Sequence, residues 1–245
     1  FHPELAEQDY YIGMGETAET LAKEENISRD EQEQFAIGSH EKALEAWDNG
    51  KYDNEVMPID IYGERVVDKD EGPRKPDLEK IKSLGPAFLE NGTITAATSS
   101  PISIGAAAVL ITSRTFAEDN SLSIRATIKG RSVVGVDWRR MGMGPLPATE
   151  KVIKDLNMTM DQIDVIELNE AFAAQSLYVI KNGGWDINKI NQNGGAIALG
   201  HPLGCSGARI MTTLVNVMEQ QDSKTGLATM CIGTGQGIAT ILERN

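Results

Sequence analysis

The chain has 245 residues, 40% of them hydrophobic and 24% charged, which is an ordinary globular composition with length for one large domain or two small ones. A formal charge of −13 and a pI near 4.7 argue against a nucleic-acid-binding surface, although a local pair of basic residues can still hold a phosphate. No run approaches the roughly eighteen apolar residues of a membrane span, and two cysteines make no disulfide framework, which fits a reducing, cytoplasmic setting.

The N-terminal Phe1-His2-Pro3-Glu4 has neither a basic stretch nor an apolar signal core, and no initiator methionine, so the chain is expected to begin inside a longer one. Residues 16–26 carry Ala18, Leu21 and Ala22 at helical spacing. Ser28 stands three residues before Glu31, a capping box that opens a helix to about Trp47, stopped by Asp48-Asn49-Gly50. Residues 55–67 alternate like a strand with a turn at Tyr62-Gly63, and a polar loop follows over 68–76. No linker, low-complexity tract or short-period repeat interrupts the chain.

From Asn91 the character changes. Residues 92–100 are small and hydroxyl-rich, and 105–112 form an apolar run suited to a buried strand. A short helix is predicted over 114–120, a β segment over 124–136, and an amphipathic helix over 145–157 with Val152, Ile153 and Leu156 on one side. Val165-Ile166-Glu167-Leu168 reads as a short buried strand running into a helix over 170–181. A helix over 206–220 and two strands, 226–232 and 237–242, complete an alternation that predicts a layered α/β architecture.

Three glycine-rich corners concentrate the chemistry. Asn169-Glu170-Ala171-Phe172-Ala173 lies at a strand-to-helix junction, where Asn169 reads first as a helix N-cap. The run from Asn193-Gly194-Gly195 to Gly200-His201-Pro202-Leu203-Gly204-Cys205-Ser206-Gly207 holds one histidine between a glycine and a proline. There the backbone is fixed and the imidazole can project, and the run is no Walker A loop because no Gly-Lys-Ser/Thr follows. Cys231-Ile232-Gly233-Thr234-Gly235 places a cysteine at the end of a buried strand, either as a small core hydrophobe or as a group reaching a pocket. The scattered histidines and cysteines lack metal-ligand spacing, so no metal site is expected.

These segments, in this order, resemble the active-site motifs of the thiolases. The resemblance extends to Met14-Gly15-Glu16-Thr17-Ala18-Glu19, to the helix from Ile27-Ser28-Arg29 through Ser39-His40, to Thr95-Ala96-Ala97-Thr98-Ser99-Ser100 with Gly105-Ala106-Ala107-Ala108, and to Gly144-Pro145-Leu146-Pro147-Ala148. It implies a thiolase-like layered α/β/α fold: a helix-rich loop domain with a CoA-binding segment over 1–100, the last strand and helix of a truncated N-terminal domain over 101–123, and a near-complete C-terminal domain over 124–245. It also implies cleavage of 3-ketoacyl-CoA by a cysteine thiolate, release of acetyl-CoA, and transfer of the shortened acyl chain to coenzyme A, which is a substrate; no other cofactor is implied.

On individual residues, the resemblance makes His201 the base for the nucleophile, and Cys231 the acid that protonates the departing enolate. Asn169, through a water, would join His201 at the enolate oxygen, and the Gly233 N–H would serve a second oxyanion hole. Ser100, Met14, Met141 and Phe172 match positions along the pantetheine path. Arg74 matches a basic residue near the CoA adenine, with an ordinary solvated loop arginine as its equal alternative.

The family's nucleophilic cysteine belongs to a Cys-Gly/Ser-Ser motif absent from this sequence; Cys231 fills the second-cysteine slot, and Cys205 stands where alanine is common, as a packing residue. Ala97, Thr98, Pro101 and Ile104 also depart from the pattern. Three functional readings follow: part of a degradative 3-ketoacyl-CoA thiolase of fatty-acid β-oxidation, inactive alone; a thiolase-derived protein that binds CoA or a partner without turnover; or a biosynthetic acetoacetyl-CoA thiolase. The complete enzyme would be a homodimer or tetramer, with a multifunctional β-oxidation subunit as a further partner. A hydrolase reading, with Gly204-Cys205-Ser206-Gly207-Ala208 as a nucleophile elbow beside His201, is poor because the elbow's final glycine is missing.

Overall fold

The computed structural model describes residues 1–244. A single helical turn, α1 (Pro3–Ala6), precedes two longer helices, α2 (Met14–Glu24) and α3 (Arg29–Asp48). The start of α3 is the expected capping box: Ser28 Oγ accepts the Glu31 N–H at 3.2 Å, and the Glu31 carboxylate accepts the Ser28 N–H at 2.7 Å. Two donors that the helix ladder leaves open are thereby satisfied. The alternating stretch after α3 folds as an antiparallel hairpin, β1 (Ile59–Ile61) and β2 (Arg65–Val67), turning through Tyr62 and Gly63 at φ of 54° and 75°. A short helix that the sequence pattern does not announce, α4 (Leu78–Ser83), is capped by the Asp77 carboxylate.

One expectation fails. Residues 105–112 do not form a buried strand; they run as irregular chain up to α5 (Arg114–Asp119), with Leu110 78% and Ile111 67% exposed. Strand geometry depends on a neighbour's N–H and C=O groups, and among the described residues no strand pairs with this run. It borders a cavity of about 520 Å³ closed on the other side by residues 122–128 and by Met211, Thr212 and Val215.

The rest of the chain contributes β3 (Thr127–Gly135), α6 (Pro145–Asp155), β4 (Val165–Leu168), α7 (Ala173–Gly183), α8 (Ala196–Leu199), α9 (Ser206–Gln220), β5 (Thr225–Ile232) and β6 (Gln236–Glu243). The four strands form one mixed sheet in the order β3-β6-β5-β4, in which β4 and β5 are parallel and the other pairs antiparallel. Alternation along each strand sends side chains to opposite faces. Ile166, Leu168, Leu227, Ala239 and Ile241 join a core with Ala148 and Val152 of α6 and Tyr178 and Val179 of α7. Val165, Ala228 and Leu242 meet Ile210, Leu214, Val217 and Met218 of α9. Helices therefore cover both faces, giving the layered α/β/α arrangement. Each fully buried Leu or Ile in these layers contributes roughly 1.5–3 kcal/mol of burial free energy.

The junction after β4 corrects a second expectation. Helix α7 starts at Ala173, not at residue 170, its N-cap is Phe172, and Asn169 caps nothing. The reason is a crossing segment. Ala173 N–H donates to Thr98 O at 2.9 Å and Ser100 N–H to Ala171 O at 3.0 Å, so residues 98–100 engage the backbone that a helix would otherwise use. This leaves the Asn169 side chain free for another task.

Candidate functional site

The parallel pairing of β4 with β5 brings the C-terminal ends of both strands to one edge of the sheet, where open α/β folds place their ligands. The register matches Leu168 with Thr229, and Asn169 N–H donates to Thr229 O at 3.0 Å. Cys231 lies two residues farther along β5, beside the bend Gly233-Thr234-Gly235. In that bend Thr234 holds φ at 69° and Gly235 at 89°. A β-branched residue in the left-handed region is strained, and such strain is concentrated at functional loops.

His201 reaches the same edge from the run between α8 and α9. Its Nε2 lies 3.4 Å from Asn169 Nδ2 and its Nδ1 2.5 Å from Ser206 Oγ. Ser206 Oγ also lies 3.1 Å from Pro202 O; with its proton directed there it accepts from Nδ1–H, the assignment that leaves a lone pair on Nε2 toward the Asn169 Nδ2 donor. Burial, reinforced by the Arg209 charge, holds the imidazole pKa below its ordinary value. The result is a neutral imidazole whose basic nitrogen faces the Asn169 amide. Asn169 is fully buried, and its Oδ1 has no hydrogen-bond partner among the described residues.

The sequence pattern suggests Ser206 only as a poor nucleophile. It is 1% exposed in the first turn of α9, with its proton committed to a carbonyl, so it orients the imidazole. Cys231 is 6% exposed, and burial pushes its thiol up to about 12. Cys205 is buried beside the Gly105 backbone, and burial raises its thiol too.

The remaining predicted residues lie around this edge at different depths. Ser100 donates its hydroxyl to Ala171 O at 3.0 Å, two residues from Asn169. A β-carbon built on Gly233 would lie 3.9 Å from the sulfur of Met14, whose side chain is partly exposed at the start of α2. Phe172 is buried edge-on against Phe88 at 5.6 Å between ring centroids, and Met141 is buried in the same core. Arg74 stands apart, exposed in the 68–76 loop, where its N–H donates to His40 Nδ1 at 3.4 Å. Burial, with Arg74 adding to it, drives the His40 pKa down to about 4.

Behind the site, Arg209 on α9 meets Glu167 on β4 at 3.3 Å. Burial pushes the Glu167 carboxyl up to about 8 against the pull of Arg209, and burial likewise pushes Glu55 up to about 7. Among the described residues no group of three His, Cys, Asp or Glu side chains is placed to hold a metal ion, and no helix is long and apolar enough to cross a membrane.

Comparison with known proteins gives the family of the chain. The family profile described as thiolase, N-terminal domain, matches residues 2–115, and thiolase, C-terminal domain, matches residues 122–244. The 3-ketoacyl-CoA thiolase of Vibrio vulnificus strain CMCP6 is 49% identical over 255 aligned residues, covering 100% of this chain and 66% of the relative. That of Aliivibrio fischeri is 50% identical, covering 94% of this chain and 62% of its own length. The chain thus spans about two thirds of the relatives it matches. Among solved structures, the Bacillus anthracis acetyl-CoA acetyltransferase superposes with a TM-score of 0.92 at 41% identity, covering 95% of this chain and 60% of that one. The human mitochondrial 3-ketoacyl-CoA thiolase in complex with CoA gives 0.90 at 35% identity, with 97% and 60% covered. The two matched domains, which together take in nearly every residue, establish that this chain belongs to the thiolase family.

Proposed function

We propose that the complete protein is a 3-ketoacyl-CoA thiolase, an acyltransferase that cleaves 3-ketoacyl-CoA with CoA in fatty-acid β-oxidation. The observation that carries this reading is His201 Nε2 at 3.4 Å from the buried Asn169 amide, with Nδ1 held by Ser206, at the strand ends that also hold Cys231. The names of the bacterial relatives favour thiolysis over acetoacetyl-CoA synthesis.

In this reading His201 Nε2 takes the proton of a nucleophilic cysteine, whose thiolate adds to the 3-keto carbon. The bond between the α and β carbons then breaks. Its electron pair forms the acetyl-CoA enolate, steadied at its oxygen by His201 and an Asn169-held water, and the proton comes from Cys231. The Gly233 N–H serves the tetrahedral intermediates, and CoA thiol releases the shortened acyl group. Cys231 takes the acid's part in this reading and Cys205 is buried beside the Gly105 backbone, so the nucleophile is assigned to neither cysteine of this chain.

Ser100, Met14, Met141 and Phe172 would form the pantetheine side of the pocket, and Arg74 would meet the adenine end. The domain division at residues 100 and 123, a cytoplasmic location, a homodimer or tetramer, and a multifunctional β-oxidation partner belong to the same proposal. The test is made in the complete protein, with acetyl-CoA to read acyl transfer to the nucleophile and acetoacetyl-CoA to read cleavage. His201→Ala is expected to abolish acyl-enzyme formation, seen by mass spectrometry, whereas Cys231→Ala spares acylation and blocks the Claisen step. Equal loss of both steps in both variants overturns the assignment, as does thiolysis by residues 1–245 alone.

A further inference from the structure

Glu170 follows Asn169 directly, yet its side chain is committed elsewhere. It is a buried carboxylate whose Oε2 accepts the Ser39 hydroxyl at 2.7 Å and the Ile197 N–H at 3.2 Å, while Oε1 accepts Asn191 Nδ2 at 2.8 Å. Ser39 in turn accepts the Gly195 N–H at 3.1 Å. Asn191 is bonded both ways to the end of β4, donating to Leu168 O at 2.8 Å and accepting the Leu168 N–H at 2.9 Å.

We infer that Glu170 is a positioning residue: its carboxylate ties α3, the end of β4 and the 191–197 turn into one hydrogen-bonded circuit that sets His201 against Asn169. The inference rests on the roles proposed above for His201 and Asn169. The circuit grips both partners at close range. Asn169 is covalently held between Leu168 and Glu170, both bonded to Asn191. His201 follows Ile197 by four residues, three of them in α8 or its terminal glycine.

The glycines of the turn fit this reading. A β-carbon on Gly195 would stand 2.1–2.4 Å from the Glu170 carboxyl atoms. One on Gly194, which also needs φ at 88°, would stand 2.8 Å from Ser39 O. The turn is therefore seated as closely as backbone allows on the carboxylate and on α3. A buried carboxylate accepting three charge-assisted bonds is a stiff fixture, because releasing any one of them leaves a desolvated donor or acceptor.

The chain contains three histidines, so ¹⁵N-histidine NMR resolves His201 directly, with the exposed His2, outside the circuit, as an internal reference. Glu170→Gln keeps the shape but turns one acceptor into a donor facing a donor. It is expected to let water reach the imidazole and raise the His201 titration midpoint toward the free value. Ser39→Ala should do the same to a smaller extent. Val152→Ala on α6, outside the circuit, controls for general destabilisation and should leave the midpoint in place. In the complete enzyme Glu170→Gln should lower kcat for thiolysis about tenfold or more with little change in KM, as misplacement of a reacting group does. An unmoved His201 midpoint in both Glu170→Gln and Ser39→Ala overturns the inference, as does an equal movement in Val152→Ala. A shifted midpoint without loss of kcat leaves the circuit standing and removes the catalytic reading of His201.

Discussion

Cys231 offers a sharp test, because its proposed role as an acid requires that it keep its proton. Burial pushes its thiol from an ordinary 9.0 up to about 12, with only its own backbone amide pulling the other way. At about pH 8 an ordinary thiol is roughly 10% thiolate and Cys231 about 0.01%, a thousandfold difference in the reactive form. Iodoacetamide labelling of the native chain, read peptide by peptide by mass spectrometry, measures it, with denatured protein as reference. The expected rate at Cys231 is about a thousandfold or more below the denatured rate near pH 8. Its dependence on pH separates the two causes, since poor access scales the whole curve while a raised pKa changes its shape. The Cys231 rate should still climb about tenfold per pH unit through roughly pH 10, where an ordinary thiol has levelled off. A plateau by pH 9 would refute the reasoning. The linkage sign agrees: the fold favours the protonated thiol, so this contribution to stability is present below about 9 and lost as pH rises through about 12.

Glu167 makes a milder prediction of the same sign. Its folded pKa near 8 lies above its ordinary 4.5, so the native chain holds more protons over that window. Stability from this group is present below about 4.5 and lost as pH rises through about 8; urea midpoints at about pH 5.5 and 8.5 should show the fall, and Glu167→Gln should reduce it, leaving the part that Glu55 contributes in the same window. Gly195→Ala is expected to cost about 1–3 kcal/mol by overpacking on Glu170, and clearly less in a Glu170→Ala background; strict additivity in urea denaturation would mean the two do not touch. Leu214→Ala, emptying fully buried volume between α9 and the sheet, should cost about 2–5 kcal/mol, and a loss under about 1 kcal/mol would show that the layer can collapse around it.

Local chemistry made much of this fold legible in the sequence. The Ser28–Glu31 box spans three residues, and α9 runs over the predicted 206–220 because its apolar stripe and the glycines before it are local signals. The misreadings share one cause, which is contact between distant segments. Residues 105–112 are apolar enough for a strand, but strand formation belongs to the pair of chains and not to either one. Asn169 resembles an N-cap until Thr98, 75 residues earlier by the difference 173 − 98, receives the Ala173 N–H. The Ser39–Glu170 bond spans 131 residues and leaves no periodicity to find. A buried polar residue beside each catalytic candidate, Glu170 after Asn169 and Ser206 after His201, was the available signal. Each resolves as the group that fixes its neighbour.

The 3.4 Å separation of Asn169 Nδ2 from His201 Nε2 bears on how His201 would work as the proposed base. A shorter bond would lock the lone pair to the amide, and taking a proton would require breaking a strong contact. At 3.4 Å the bond is weak, so the amide directs the imidazole without consuming its basicity. The firm partner is on the other side, where Ser206 Oγ lies 2.5 Å from Nδ1 and accepts its N–H while donating its own hydrogen bond to Pro202 O. Protonation at Nε2 would change nothing on that side, because Nδ1 already donates. The imidazole can therefore gain and lose a proton at its open nitrogen without turning its ring. A Ser206→Ala substitution would release the ring and permit the opposite tautomer, so the Nε2 and Nδ1 nitrogen shifts in ¹⁵N spectra should approach each other. Retention of the wild-type pattern would place the tautomer under some other control.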